Sequence, residues 1–262
     1  MKKTALLLFT IVLFFSCKQD TKTNDYKNET LDVTTSIYPE NISKIFDAHG
    51  SLETWKTMQS LVFTMPKPDG EEITTTNLKL RESLINMPAH TIGFDGKELW
   101  LLQKDTTTYK VNPRFYYNLM FYFYAMPFIL ADDGIMYKDA EPLTFEGKTY
   151  SGIHISYGVG VGESPEDEYI LYYNPETYKM EWLGYTVTYF SKEKSKEFHF
   201  IKYSDWQTVE GLELPKTLTW YNYETNQPTT KRNDLEFVNV SISSTKLEDS
   251  LFKKPKDAKI IE

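Results

Sequence analysis

The amino-acid sequence predicts an α+β fold that consists mainly of antiparallel β-structure. From Leu61 onward, runs rich in threonine, valine, isoleucine and aromatic residues are separated by turn dipeptides, which is typical of strands joined as hairpins. A parallel sheet would need helical crossovers, and the sequence shows no long helical pattern between these runs. Many runs are apolar on both faces, so we expect a strongly curved sheet that is partly covered by helices.

Residues 1–17 have the features of a bacterial lipoprotein signal peptide. Two lysines precede an apolar run from Ala5 to Phe15, which is too short to span a bilayer and suits a signal peptide. Ser16 and Cys17 end the run and resemble a lipobox, in which the cysteine thiol receives diacylglycerol. We therefore expect cleavage before Cys17, lipid attachment to it and a membrane tether. The alternative is an ordinary secretory signal with an incidental cysteine.

Residues 18–37 predict a disordered tether, and residues 38–262 predict a single domain. The tether is polar and cannot bury enough apolar surface to fold. Cys17 is the only cysteine, so the domain has no disulfide and must be stabilised by a hydrophobic core. The formal net charge is −8 and no basic cluster is visible, which argues against nucleic-acid binding.

The start of the domain predicts two short helices. Ile42, Ile45 and Phe46 lie at three- and four-residue spacing and so share one helix face, and Gly50 suits a C-terminal cap. Ser51 is a capping residue and predicts that a second short helix follows it directly.

Strands are predicted over most of the remaining chain. The predicted segments are 60–65, 71–82, 89–95, 97–103, 106–112, 142–147, 149–157, 167–174, 177–190, 196–206, 212–223 and 231–244. Hairpin corners are expected at 95–96, 146–147, 174–177 and 210–211. Simple alternation predicts that Met180, Trp182 and Gly184 lie on one face of their strand.

Residues 113–130 interrupt this β pattern. The segment carries eight aromatic residues between Phe115 and Phe128, Pro113 can start a helix and Pro127 would end one. A helix here would be apolar on nearly every side, which implies contacts all round. We interpret the segment as a helix or helix pair that is inserted into, or caps, the concave face of the sheet. The alternative is a buried core helix without a ligand role.

No residue pattern specifies a reaction, a metal or a cofactor. The four histidines have no partner at metal-ligand spacing: His49, His90, His154 and His199. Acidic residues follow the glycine-rich segment 158–162, whereas a phosphate-binding loop is followed by a helix N-terminus that attracts the anion. The segment therefore predicts a flexible hairpin loop. We expect a non-catalytic protein, since an enzyme acting on lipid or glycan would need converging carboxylates or a Ser/His pair.

Four motifs together resemble the lipoprotein-localisation (LolA/LolB-like) superfamily. They are Ala48-His49-Gly50 with Trp55, and the segments 93–100, 211–215 and 249–255. More narrowly, the mature chain resembles a group of uncharacterised Bacteroidota lipoproteins that share the aromatic segment 113–130. The first resemblance implies an incomplete antiparallel β-barrel of about 11 strands, with short helices covering its concave face around a hydrophobic cavity. From this resemblance together with the lipoprotein signal, we expect a place in the bacterial cell envelope, lipid-anchored at the outer membrane on its periplasmic or cell-surface face.

The leading hypothesis is a membrane-anchored, non-catalytic protein that binds a hydrophobic ligand, such as the acyl chain of a lipid or lipoprotein, in that cavity. Aromatic residues make up 15% of the chain, and tyrosine-rich curved sheets often line cavities. The apolar lining is predicted to comprise Trp100, Tyr109, Phe121, Met126, Phe128, Trp182 and Trp220. The rival hypothesis is a surface-exposed interaction or structural lipoprotein with a packed core and no ligand.

Overall fold

The computed structural model describes residues 37–158 and 164–262. The predicted signal peptide, its lipidation site Cys17 and residues 18–36 of the predicted tether lie outside the described residues. So does most of the glycine-rich segment 158–162. Among the described helices, none combines the length and the apolar character that crossing a membrane requires.

Short helices and many strands make up the described part of the chain. The α-helices are α1 (Glu40–Ala48), α2 (Leu52–Thr57), α3 (Pro113–Tyr116) and α4 (Leu119–Tyr124), and 3-10 turns lie at Phe128–Ala131 and Asp249–Phe252. The strands are β1 (Ser60–Lys67), β2 (Gly70–Asn77), β3 (Ser83–Asn86), β4 (His90–Phe94), β5 (Leu99–Gln103), β6 (Ile135–Phe145), β7 (Lys148–Tyr157), β8 (Tyr169–Tyr173), β9 (Met180–Tyr185), β10 (His199–Ser204), β11 (Gln207–Val209), β12 (Leu212–Leu214), β13 (Thr217–Glu224), β14 (Gln227–Glu236), β15 (Val238–Ser243) and β16 (Lys259–Ile261).

The strands form two open sheets of seven strands and one separate two-stranded hairpin, β11–β12. The first sheet has the order β15-β1-β2-β3-β4-β5-β16, and the second has the order β14-β13-β10-β9-β8-β7-β6. All described pairings are antiparallel. The antiparallel α+β class is therefore confirmed. The described residues form sixteen strands instead of about 11, and neither sheet closes into a barrel.

The two sheets are connected where β14 runs directly into β15. Phe237 lies between these strands, is fully buried, and donates its backbone N–H to the carbonyl of Lys216 over 2.8 Å. Because β14 is an edge strand of the second sheet and β15 of the first, the chain changes sheets here without a loop. The predicted single strand 231–244 is thus two strands.

The structure corrects three further strand predictions, and in the first of them the predicted strand 212–223 divides into β12 and β13, which lie in different sheets. Residues 106–112 form no strand: the Asp105 carboxylate accepts the backbone N–H of Thr107 at 2.7 Å, and the Thr107 carbonyl accepts a hydrogen bond from His90. Such local side-chain bonds compete with a strand ladder. The predicted strand 71–82 breaks after Asn77, because a turn containing Arg81 at φ +59° separates β2 from β3.

The two predicted helices at the start of the domain are confirmed. Ile42, Ile45 and Phe46 of α1 are buried, as their spacing requires. The Ser51 hydroxyl caps α2 by accepting the backbone N–H of Thr54 at 3.2 Å. Both helices contribute to one continuous core that includes side chains from both sheets.

The aromatic segment forms α3, α4 and the following 3-10 turn, so its predicted helical character is confirmed, and of the two alternatives, one helix or a pair, the structure has the pair. The Asn112 side chain caps α3 by accepting the N–H of Arg114 at 2.9 Å. Phe128 is buried, and its ring stacks on Trp55 with centroids 4.8 Å apart. Most of the segment belongs to the continuous core, so its side chains fill the interior to which both sheets contribute.

A β-bulge in β9 changes which face its side chains occupy. Tyr172 pairs with Trp182, but the next residue, Tyr173, pairs with Met180, so Glu181 has no partner in the ladder. An unpaired extra residue breaks simple alternation. Met180 therefore joins the main core, while Trp182 belongs to a separate cluster with Leu143, Tyr150, Tyr172 and Phe200. The prediction that Met180 and Trp182 share a face is wrong for this reason.

Candidate functional site

The filled interior leaves a recess beside the aromatic segment. We call this recess the tyrosine cleft; its volume is about 140 Å3. Apolar and aromatic side chains dominate its walls, and a few charged groups lie among them. The lining residues are Arg114, Phe115, Asn118, Leu119, Tyr122, Ile129, Asp132, Asp133, Ile135, Tyr157, Ser164, Asp167, Tyr169 and Tyr189.

Three elements position three of the four tyrosines that line the cleft. Tyr122 comes from α4, Tyr157 ends β7, and Tyr169 begins β8. The rings of Tyr157 and Tyr169 meet edge to face with centroids 5.9 Å apart. Burial raises the pKa of all three phenols above the ordinary value. They therefore stay protonated at neutral pH and offer apolar faces with a hydroxyl donor.

The carboxylate of Asp132 is held at the cleft by Arg81. Nη2 of Arg81 lies 2.5 Å and 2.7 Å from the two carboxylate oxygens of Asp132. Burial raises the pKa of Asp132, although the guanidinium beside it acts in the opposite direction. The Arg81 guanidinium also lies over the Phe121 ring, 5.1 Å from its centroid. This ion pair fixes the end of the aromatic segment against the β2–β3 turn.

A second carboxylate of the cleft, that of Asp167, has its hydrogen-bond partners within the protein. One of its oxygens accepts the backbone N–H of Thr188 at 2.6 Å and the hydroxyl of the same residue at 2.7 Å. Burial raises the pKa of Asp167 in spite of these hydrogen bonds, which lower it. Both oxygens of Asp132 are bound to Arg81, and Asp167 accepts hydrogen bonds from Thr188. These two carboxylates therefore have a structural role in the wall of the cleft.

An aromatic cluster forms the outer rim of the cleft. The rings of Phe115, Tyr189 and Phe190 lie mutually 5.1–5.2 Å apart between centroids. Phe190 is 68% exposed, which is unusual for a phenylalanine. Lys192 places its ammonium 4.1 Å from the centroid of the Tyr189 ring. The rim is thus apolar with a cationic edge.

A smaller recess, the inner cavity, adjoins the cleft. Its volume is about 90 Å3, and its lining residues are Thr76, Arg81, Ser83, Phe94, Tyr117, Asn118, Phe121 and Tyr122. Asn118 and Tyr122 line both recesses. The inner cavity combines aromatic walls with polar groups of the first sheet.

The seven residues predicted to form the apolar lining lie in several different parts of the structure. Phe121 lines the inner cavity, and Met126 and Phe128 lie in the main core of the same segment. Trp220 is partly buried against this core and donates its indole N–H to the hydroxyl of Tyr185 at 3.1 Å. The structure thus brings the members of the aromatic segment together.

The other three predicted lining residues lie elsewhere. Trp100 covers Gly93, where an added Cβ would lie 2.1 Å from the indole ring, and it donates to the carbonyl of Phe252 at 3.0 Å. Tyr109 lies beside His90, with ring centroids 5.2 Å apart. Trp182 belongs to the separate cluster described above. A ligand role for these three residues stays a prediction.

Sequence reasoning missed the tyrosines at 122, 157 and 169 and the Arg81–Asp132 pair. A usable signal was present at Asp132, because it directly follows the apolar aromatic segment and a carboxylate there needs a cation. Its partner is 51 residues away in the sequence, so no local pattern identifies Arg81.

The histidines have separate surroundings in the structure. His49 is buried, donates from Nδ1 to the carbonyl of Ile45 at 2.7 Å and accepts the N–H of Met180 at 3.4 Å. His154 lies 3.1 Å from the carboxylate of Glu168. Within residues 37–158 and 164–262, no group of three or more histidine, cysteine or acidic side chains could hold a metal ion.

Comparison with solved structures yields similar chains at low sequence identity. A LolA superfamily protein from Nitrosomonas europaea is 11% identical with a TM-score of 0.49, and the match covers 84% of this chain and 99% of that one. A DUF1329 family protein from Desulfovibrio piger is 8% identical with a TM-score of 0.46, covering 82% and 98% of the two chains. A putative outer membrane lipoprotein-sorting protein domain from Vibrio parahaemolyticus is 8% identical with a TM-score of 0.36, covering 77% and 95%.

Sequence comparison places the chain in a family. No curated protein matches the chain. A family profile matches residues 87–233, which include the aromatic segment and most of the second sheet. Because this match covers more than half of the chain, the protein belongs to the family of unknown function designated DUF6503.

Proposed function

We propose that the protein is a membrane-anchored, extracytoplasmic lipoprotein that binds the apolar part of an amphipathic or acyl-chain ligand without catalysis. The observation that carries this proposal is the tyrosine cleft, a recess with aromatic walls that opens beside an exposed aromatic rim. Concave, mostly apolar recesses with a few polar groups are the common form of small-molecule sites.

The N-terminal sequence supports the anchored state. A basic start, a short apolar run and Ser16-Cys17 suit lipidation of Cys17. Residues 18–37 have the polar composition of a tether between that cysteine and the domain. A domain on such a tether stays close to the membrane surface and has access to lipids or to the acyl chains of other lipoproteins.

The size of the cleft limits what it accepts. An engineered apolar cavity of about 150 Å3 holds benzene, so a recess of about 140 Å3 admits a ring or a short stretch of hydrocarbon chain. Each methylene that leaves water contributes about 0.8 kcal/mol. The rest of the ligand would extend along Phe115, Tyr189 and Phe190 at the rim, where an apolar surface is already exposed.

Photocrosslinking in membranes tests this function with the full chain. The probe is a palmitic acid analogue that carries a diazirine and an alkyne, and the crosslinked peptides are identified by mass spectrometry. We expect crosslinks within residues 113–135 and 164–169 and at Tyr157. Leu119→Trp fills the cleft, so we expect about a tenfold lower yield there, as a loss of about 1.4 kcal/mol in binding free energy would give.

Leu251→Trp is the matched control, because Leu251 is partly exposed in the 3-10 turn Asp249–Phe252 and does not line the cleft. It adds the same volume to the chain and should leave the crosslinking yield unchanged. Crosslinks that are spread evenly over the surface, or an equal effect of both substitutions, would contradict binding in the cleft.

A second candidate function is favoured by the filled interior. Because the aromatic segment occupies the core, the protein could act as a surface-exposed interaction lipoprotein with no ligand, using the rim around Phe190 as a contact surface. The same experiment separates the two functions. An interaction protein gives no cleft-specific crosslink, and its binding to a protein partner depends on Phe190 and is insensitive to Leu119→Trp.

A further inference from the structure

The inner face of β2 carries a polar row within an otherwise apolar interior. Glu72, Thr74 and Thr76 alternate along this strand and are at most 5% exposed. Thr76 pairs across the ladder with Ser83, which is 4% exposed. Three alternate polar positions on β2 and a fourth across the ladder on β3 would be unfavourable in a purely structural sheet, because each buried polar group needs a hydrogen-bond partner.

Several of these polar atoms have no partner in the described residues. The hydroxyls of Thr76 and Ser83 are buried and make no hydrogen bond, and Nη1 of Arg81 is buried without a partner as well. All three residues line the inner cavity. A buried polar group without a partner costs about 1–3 kcal/mol, so three of them around one recess indicate that a guest normally supplies the missing bonds.

The chemistry of the three groups specifies a hydrogen-bond acceptor. Arginine is a donor only, so Nη1 of Arg81 needs an acceptor atom, and the two hydroxyls can donate to the same atom or group. Four of the other five lining residues are aromatic, which suits a flat or apolar group around the acceptor; the five are Phe94, Tyr117, Asn118, Phe121 and Tyr122. A carbonyl oxygen on an apolar chain has this combination.

The charges around the cavity favour a neutral acceptor over an anion. The positive charge of Arg81 is already balanced by Asp132, whose two oxygens bind Nη2. Glu72 adds a second carboxyl group on the same strand face, where it accepts the hydroxyl of Tyr116 at 2.7 Å. An anionic guest would therefore leave uncompensated negative charge in a buried place, which is unfavourable.

We propose that the inner cavity binds the carbonyl oxygen of a neutral acyl ester or amide through Arg81, Thr76 and Ser83. The inference rests on the proposed function, because the alkyl part of the same ligand would occupy the adjoining tyrosine cleft. Asn118 and Tyr122 line both recesses, so one ligand can contact both. The site distinguishes an acyl chain with a carbonyl group from a plain hydrocarbon chain.

A pair of matched ligands tests this specificity. The full chain in dodecyl maltoside micelles is mixed with equal concentrations of 1-monolauroylglycerol and 1-O-dodecylglycerol, which differ in the carbonyl group, and bound ligand is counted by native mass spectrometry. We expect the ester to be preferred by about tenfold, as one additional hydrogen bond of about 1.4 kcal/mol would give. Laurate should bind more weakly than the ester because of its charge.

Thr76→Val removes one of the unpartnered hydroxyls at nearly constant volume. We expect the preference for the ester to fall to about threefold or less, while the free energy of unfolding stays the same or rises, because no protein hydrogen bond is lost. Thr75→Val is the matched control, since Thr75 is the neighbouring strand residue on the opposite face. Ser83→Ala provides a second, independent variant if Thr76→Val does not fold.

The possible outcomes separate the two proposals. Equal binding of ester and ether, with no effect of Thr76→Val or Ser83→Ala on their ratio, overturns the carbonyl site and leaves water as the guest of the inner cavity. Stronger binding of laurate than of the ester overturns the preference for a neutral group. Binding of none of the three ligands overturns the proposed function together with the inference.

Discussion

At the scale of single residues, His49 illustrates a buried polar group with a structural role. Both ring nitrogens are occupied: one donates to the Ile45 carbonyl and the other accepts the N–H of Met180. This arrangement requires the neutral ring. Burial lowers the pKa of His49 to about 4, with the nearby charge of Lys179 acting in the same direction. The residue therefore links α1 to β9 and holds no ligand.

This pKa shift predicts a loss of stability in mild acid. Because the unfolded His49 takes up a proton near its ordinary pKa of about 6.5 and the folded one near 4, protonation favours the unfolded state. Stability is fully present above about pH 6.5 and falls by roughly 3 kcal/mol as the pH decreases towards 4. Urea unfolding of the full chain at several pH values measures this slope.

Substitution of His49 tests the assignment. His49→Gln should lower the free energy of unfolding at pH 7 and flatten its dependence between pH 4 and 6.5. His154→Gln serves as the control, because His154 is partly exposed beside Glu168, and it should leave the slope in place. An unchanged slope in His49→Gln would show that other groups cause the acid sensitivity.

The candidate site was only partly predictable at the residue scale. Phe121 could be predicted from the density of aromatic residues around it, and it does line the inner cavity. Trp182 could not be placed correctly, because the bulge at Glu181 turns it to the other face of its strand. Bulges depend on the register with a neighbouring strand, and register is a property of the pair.

At the scale of elements, the end of α1 is joined closely to the β11–β12 hairpin. Gly50 has φ +99°, and an added Cβ would lie 2.1 Å from the carbonyl oxygen of Gly211. The carbonyl of His49 also accepts the N–H of Glu213 at 2.9 Å. The hairpin is thus built around the helix end, and a side chain at position 50 has no space.

This close approach predicts a large effect for Gly50→Ala. Left-handed backbone costs about 1 kcal/mol for alanine, and forcing a methyl group against the hairpin costs about 2 kcal/mol more. We expect a loss of about 3 kcal/mol in the free energy of unfolding, measured by urea denaturation. Gly147→Ala is the control, since Gly147 has φ +78° and nothing within 4 Å of its added Cβ. Equal losses for both would contradict the close contact.

The strands show where element prediction succeeded and where it failed. The hairpin corner at Glu146-Gly147 has positive φ at both residues, as the dipeptide predicts. By contrast, β6 begins at Ile135, earlier than predicted, because exposed polar residues such as Lys138 and Asp139 hide its strand character. Turn signals are local, whereas the extent of an edge strand depends on the neighbour that pairs with it.

At the scale of the whole molecule, the proposed lipid anchor makes a direct prediction. Cys17→Ser removes the thiol that would carry diacylglycerol, so we expect the protein to move from the membrane to the soluble fraction. Two or more acyl chains anchor a protein stably, whereas a single chain binds weakly and reversibly. Fractionation and immunoblotting of the full chain measure the change, and Thr21→Ser in the predicted tether is the control. Persistent membrane association of Cys17→Ser would contradict the anchor.

The sequence by itself determined the antiparallel α+β class, the two short helices at the start of the domain and the helical character of the aromatic segment. These features depend on residues that are close in the chain: the spacing of Ile42, Ile45 and Phe46, the capping group of Ser51 and the clustering of aromatic residues. Helical spacing and capping act within a few residues, so a single sequence is sufficient to reveal them.

Only the tertiary structure decided how the strands divide into two open sheets and which side chains line a recess. The change of sheet at Phe237, the face of Trp182 and the meeting of Arg81 with Asp132 depend on partners that are distant in the chain. The inner cavity exists because strand pairing brings Thr76 opposite Ser83 on a buried face. Such juxtapositions follow from register and packing between elements, which no local pattern encodes.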